Sequence, residues 1–175
     1  MTEGHRRIDR IRDPAYLEGL AERSLEDIRA MREDCLAERE YLSLLRRLVQ
    51  GRAEILKAEL DERGADDDRG PLVDRLAAIL AGDEPAGSSR GEALKIGVPE
   101  EEMLLARRRI ERLVADAGIS DPQTLDDDQL AEAVDILARE EHTVSESRAA
   151  VISVLDTVQD ELKQRYKEDP SRVLH

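Results

Sequence analysis

The sequence predicts an all-α protein: an antiparallel two-helix coiled coil with additional short helices. Three observations predict it. Two stretches, residues 24–64 and 126–167, repeat apolar residues every seven positions with no proline to interrupt them. The chain is 40% apolar yet holds three Tyr and neither Phe nor Trp, so its core is built from Leu, Ile, Val and Ala. Residues 65–125 are enough chain to return the second stretch alongside the first. At 175 residues the chain reads as a single domain, 1–175.

The first long helix is predicted over residues 24–64. Ser24 followed by Asp27 is a workable N-cap with a reciprocating carboxylate, and Gly64 is a natural stop. Ile28, Cys35, Leu42, Val49 and Leu56 form the seam, which Leu45 widens, with Tyr41, Leu48 and Ile55 at its flank. A helix of this length spans roughly 60 Å at 1.5 Å per residue, which suits a coiled coil better than an ordinary globule.

The second long helix is predicted over 126–167, with Leu130, Leu137, Val144, Val151 and Val158 in the seam and Val134, Leu155 and Leu162 alternating with them. Asp126 to Asp128 at its start and Lys163, Arg165 and Lys167 at its end complement the helix dipole. Thr143 to Ser147 is a patch of weak helix formers, but the repeat keeps its phase, so one helix is carried through it.

Between them, Pro71 to Leu80 reads as a short amphipathic helix and residues 82–95 as a flexible linker rich in Gly, Pro and Ser. Pro99 suits the first turn of a third short helix ending near Gly118. Residues 1–22 carry Ile8, Ile11, Tyr16, Leu17 and Leu20. Two readings are open for them: an arm that meets a partner, or a segment docked on the coil.

Charge narrows the function. With 27 Lys and Arg against 41 Asp and Glu, the net charge is -14. That argues against direct nucleic-acid binding and against an anionic membrane, both of which need a positive footprint. It suits a protein partner with a basic surface. The single cysteine, Cys35, excludes an intrachain disulfide and sits at a seam position, where a buried, inert thiol is expected. No apolar run approaches a bilayer span and the N-terminus has no hydrophobic signal segment, so the expected location is cytoplasmic.

Catalytic motifs are absent. His5, His142 and His175 are far apart in sequence, and no CxxC, HExxH, GxGxxG or P-loop occurs. Neither an enzyme nor a metal site is expected; the many carboxylates read as solvated helical faces.

The polar spacing carries more. Arg39, Ser43, Arg46, Gln50 and Glu54 are offset by 0, 4, 7, 11 and 15 residues. At 100° per residue they lie within about 80° of one another, beside the Leu42, Leu45 and Val49 stripe. Glu141, Ser145, Arg148, Ile152 and Asp156 repeat the same offsets in the second helix. Spacing alone leaves two readings, a shared ligand face or a solvated charged face.

The runs YLEGLAERSLEDIRAMREDC and YLSLLRRLVQGRAEIL, and later VSESRAAVISVLDTVQDELKQRYKE, resemble the RsiG family of actinobacterial anti-sigma factors. The resemblance covers nearly the whole chain apart from residues 82–95, and LRRLVQGR is its most specific part. It implies an antiparallel coiled coil with extra helices that grips the sigma factor WhiG when the second messenger cyclic di-GMP is bound. The family's ligand signature is E, three residues, S, two residues, R, three residues, Q, three residues, D, once on each long helix. Here the first copy matches at Ser43, Arg46 and Gln50, has Glu54 for the aspartate, and departs at Arg39. The second matches at Glu141, Ser145, Arg148 and Asp156 and departs at Ile152.

The residue chemistry suits those roles. Arg46 and Arg148 can fork onto guanine O6 and N7 or onto phosphate oxygens, with Arg39 an extra phosphate contact. Glu54, Glu141 and Asp156 can accept guanine N1 and N2 protons. Ser43 and Ser145 are short donors for phosphate, and Gln50 can give and accept at a base edge. The resemblance implies sequestration of a WhiG-type sigma factor and repression of sporulation or motility genes. The alternatives are a homodimer in which two copies cradle the dinucleotide, and an adaptor coiled coil without a small ligand.

Overall fold

The computed structural model describes residues 7–64, 99–116, 118 and 121–168. The helix predicted over Pro71 to Leu80, the linker 82–95, His5 and His175 lie outside the described residues. The elements are α1 (Arg7–Arg12), α2 (Leu25–Gly64), α3 (Glu100–Asp116) and α4 (Asp127–Glu168), with 3-10 turns at Pro14–Leu17, Leu20–Glu22 and Pro122–Thr124. Among the described residues there is no strand, and the fold class is all-α as predicted.

Capping chemistry fixes where the long helices begin. At α2 the Ser24 hydroxyl accepts from the Asp27 backbone N–H at 3.1 Å, and the Asp27 carboxylate accepts from the Ser24 hydroxyl at 2.6 Å and its N–H at 3.3 Å. The shorter aspartate completes the reciprocal box usually closed by Glu or Gln. At α4 Asp126 and Gln129 do the same, with bonds of 2.8 and 2.9 Å. The left-handed backbone of Gly118 (φ 67°) follows α3, its N–H returning to the Ala115 carbonyl at 3.0 Å. The weak formers Thr143 to Ser147 do not interrupt α4. Their side chains sit in a helix whose seam is anchored on both sides, so packing outweighs propensity.

Two compact units divide the chain, one of Met1–Leu44 with Thr143–His175, the other Leu45–His142, and the helices α2 and α4 contribute to both. In the first unit α2 and α4 run antiparallel: Arg29 donates to the Tyr166 hydroxyl at 3.0 Å near one end, and Arg148 to the Ser43 hydroxyl at 2.9 Å near the other. Ile28, Cys35 and Leu42 are buried, as are Val144, Val151, Leu155, Val158 and Leu162. Burying each such aliphatic side chain is worth about 1.5–3 kcal/mol before ordering costs are subtracted.

The residues before α2 dock on this unit. Ile11 is 1% exposed and Tyr16 is buried, its hydroxyl near the Met31 carbonyl at 3.4 Å. Of the two readings of the N-terminal segment, docking on the coil is the one observed for Ile11 and Tyr16. The reason lies partly in Glu38, a buried carboxylate seven residues from Met31 and Leu45 in the same column of α2. A buried charge needs a counter-charge, and Arg7 of α1 supplies one at 3.7 Å. Arg165 holds the segment from the other side, donating to the carbonyls of Leu20, Ala21 and Arg23 at 3.0, 2.8 and 2.6 Å.

In the second unit Val49, Ala53 and Leu56 of α2, Val114 of α3, and Leu130, Ala133 and Leu137 of α4 share one core. Ile110 and Leu113 pack against it from α3. Arg109 binds Glu140 at 2.7 Å and so ties α3 to α4. Arg63 closes the end of the unit, donating to the carbonyls of Leu125 and Pro122 at 2.5 and 3.1 Å. Ile55, expected at the flank of the seam, is 42% exposed. Its neighbour Leu56 takes the core position, and the next residue around the helix turns outward.

Candidate functional site

The α4 column that holds Val134, Leu155 and Leu162 continues through Glu141 and Arg148. Two polar residues thus occupy successive places where the flanking repeats are apolar. Each is partly buried and each has found a partner on α2 within its own unit.

In the second unit the partners are Arg46 and Gln50. Arg46 Nε donates to Glu141 Oε1 at 2.6 Å, and Gln50 Nε2 approaches the same oxygen at 3.3 Å. One carboxylate oxygen thus gathers two predicted ligand contacts spaced one turn apart on α2. The ion pair is only partly covered, with the side chains 41% and 27% exposed. Glu54, one turn further, is engaged by Lys57 at 3.2 Å.

In the first unit the partner is Ser43. Arg148 Nε donates to its hydroxyl at 2.9 Å, and that hydroxyl donates to the Arg39 carbonyl one turn back at 2.8 Å. Ser43 was expected to donate to phosphate. In this state its one proton goes to the backbone, and its lone pair orients Arg148 instead. Arg39 turns to its neighbour Glu40, at 2.8 and 3.2 Å. Ser145 is partly buried, Asp156 exposed, and Ile152, where the signature has glutamine, partly buried.

The two arginines share a feature that matters chemically. Each is anchored through Nε, and among the described residues no protein group binds Nη1 or Nη2 of either. The paired Nη edge is a planar two-pronged donor, the shape that recognises a guanine O6/N7 edge or two phosphate oxygens. Of the nine sequence-predicted residues, the structure brings Arg46, Gln50 and Glu141 together, and Ser43 with Arg148. Arg39 and Glu54 are held by other partners.

Cys35, the one thiol, is fully buried and its pKa is pushed up to about 11 by loss of solvent, which makes it a poor nucleophile. Residues 14–80 match the family model described as RsiG-like, and over that stretch the chain is RsiG-like in sequence. The RsiG-like family is regulatory and not enzymatic, and the match suggests a regulator of the anti-sigma type. The matched stretch includes the α2 ladder from Arg39 to Glu54 and ends before α4. None of the curated proteins compared matches the chain. Among the described residues no helix is long and apolar enough to cross a membrane.

Proposed function

We propose that this protein is a cyclic di-GMP-dependent anti-sigma factor that sequesters a WhiG-type sigma factor from RNA polymerase and so represses its sporulation or motility genes in the cytoplasm. The observation that carries the reading is the pair of arginines, Arg46 and Arg148, held by Nε with their Nη edges unclaimed by any other described residue. Two guanines and two phosphates are what such edges recognise. Glu141, Glu54 and Asp156 supply acceptors for guanine N1 and N2, Ser145 and Ser43 lie beside the arginines, Gln50 serves a base edge, and Arg39 adds a phosphate contact after leaving Glu40. Because the chain is so acidic overall, local arginines are needed to offset the repulsion of a dianion.

The net charge of -14 complements the basic surfaces with which sigma factors read promoters, which speeds encounter and favours their occlusion. The dinucleotide acts as the joint between the two proteins, so its loss releases the sigma factor. Size-exclusion chromatography of the chain with a WhiG-type sigma factor tests this: co-elution is expected with cyclic di-GMP and not with GMP. Equal co-elution with and without the dinucleotide removes the joint and leaves an anti-sigma factor. No dinucleotide-dependent melting shift at all leaves an adaptor coiled coil.

A second reading is a homodimer in which two copies cradle the dinucleotide. It is favoured by the incomplete ladders, since α2 has Arg39 where the signature has glutamate and α4 has Ile152 where it has glutamine. Sedimentation of the chain alone with the dinucleotide distinguishes the two.

A further inference from the structure

We propose that the outward face of α3 is a self-complementary docking surface for the same helix of a second copy of this chain. Glu101, Leu104, Leu105 and Arg108 fall within about 100° of one another at 100° per residue, and all four are exposed. Leu104 is 45% and Leu105 54% exposed, while Met103, at 37%, lies about 100° round the helix from Leu104, towards the side that meets the core. These three are consecutive, and with Ile55 they are the exposed large hydrophobics among the described residues. Their exposure is not for want of a core on this helix. Ala106, Ile110, Leu113 and Val114 already fill the side that meets α2 and α4.

Charge says what covers the face. The first turn of α3 is Glu100, Glu101 and Glu102, and the turns beyond the leucines carry Arg107, Arg108, Arg109 and Arg112. Arg109 is committed to Glu140, whereas Arg107 and Arg108 make no ion pair with another described residue. An acidic partner helix would meet the glutamates, a basic one the arginines, and an anionic membrane both the glutamates and a net charge of -14. An antiparallel copy of α3 satisfies both ends. A two-fold axis between Leu104 and Leu105 brings the leucines of the two copies together and sets Glu101 of each against Arg108 of the other, the isologous pattern of a cyclic dimer. One helix of this length buries little area, so the association is weak and depends on concentration.

This inference does not rest on the dinucleotide reading, and its test is run without dinucleotide. Sedimentation velocity across a wide concentration range is expected to show reversible dimers. Leu105→Glu is expected to weaken dimerisation at least about tenfold with helix content unchanged, because the side chain it replaces is exposed. Glu101→Arg alone is expected to weaken it as well, and Glu101→Arg with Arg108→Glu to restore it. A parent that stays monomeric throughout, a Leu105→Glu variant that dimerises like the parent, or a charge swap that fails to restore association overturns the proposal. So does protection of Leu104 and Leu105 from hydroxyl radicals in the dilute monomer, which would assign the face to another segment of the same chain.

Discussion

Glu141 of α4 accepts from Arg46 of α2 at 2.6 Å through a single oxygen, and Gln50 converges on that same atom at 3.3 Å. A partly exposed ion pair of this kind contributes about 0–1 kcal/mol to stability, so the fold does not explain why an arginine and a carboxylate occupy these places. Arg148 and Ser43 pose the same question in the other unit. Both arrangements hold an arginine by its inner nitrogen and, among the described residues, leave the outer edge unbound.

Removing either arginine tests the ligand assignment. Truncating an arginine hydrogen-bonded in a complex costs about 2–5 kcal/mol, so Arg46→Ala and Arg148→Ala are each expected to weaken cyclic di-GMP binding roughly 30-fold or more. Circular dichroism should change little, since alanine is the best helix former and neither arginine supplies seam hydrophobicity. Calorimetric titration of each variant checks this. A variant that binds like the parent shows its arginine to be a surface charge, and two such variants dispose of the site.

Glu141→Ala separates a ligand contact from a resting partner. Loss of an ion pair this exposed is expected to cost no more than about 1 kcal/mol of stability. If Glu141 also accepts guanine protons in the complex, affinity for the dinucleotide falls well beyond that. Thermal melting and titration of one variant report both quantities. Undiminished affinity would confine Glu141 to holding Arg46 when ligand is absent.

Both long helices were legible in the sequence because a seven-residue repeat is a local signal that survives any partner. Ile28, Cys35, Leu42, Val49 and Leu56, and Leu130, Leu137, Val144, Val151 and Val158, are all buried, whereas Val134, read at an alternate seam position, is only partly so. What escaped the repeat is polar. Glu38 falls in the Met31 and Leu45 column, yet its burial depends on Arg7, which is remote in sequence. Arg165 read as a charge favoured by the helix dipole, while its bonds to three backbone carbonyls arise only when residues 20–23 fold beside it. Gln129 completes a capping box that the carboxylates around it concealed. The ligand ladders were legible as spacing, but the pairing of Ser43 with Arg148 and of Arg46 with Glu141 needs the register between helices, which neither helix specifies alone.

Arg165→Ala should loosen the segment before α2. The side chain is 13% exposed, and its guanidinium is held by Glu161 at 2.7 Å and donates to the carbonyls of Leu20, Ala21 and Arg23. Hydrogen bonds from a charged donor contribute roughly 1.5–3 kcal/mol each, and the freed carbonyls can partly recover water. A loss of about 2 kcal/mol is expected, with faster amide exchange across residues 7–23 and little change in the second unit. Unchanged exchange there would mean that Ile11, Tyr16 and the Arg7–Glu38 pair hold the segment without it.

Alkaline pH should weaken the first unit through Cys35. Burial pushes its thiol from 9.0 up to about 11, with Asp34 and Glu38 also opposing the thiolate and the Tyr16 hydrogen bond favouring it. The Tyr16 phenol is raised as well, chiefly by burial and then by Cys35 and Asp34. For a thiol whose folded pKa exceeds its unfolded value, the folded state retains the proton longer. The associated stability is therefore complete below pH 9 and is lost as pH rises towards about 11. Retaining a proton over one further pH unit is worth about 1.4 kcal/mol, so the loss is on the order of 2 kcal/mol. Cys35→Ala is expected to lower stability at neutral pH by leaving a small cavity, and to flatten the fall that begins at pH 9, leaving the part due to Tyr16, which sets in only above pH 10.0. Iodoacetamide should label the folded parent slowly at about pH 8 and the denatured chain quickly. Urea unfolding across this pH range decides the matter: an equally steep loss in Cys35→Ala would move its origin from the thiol to another group.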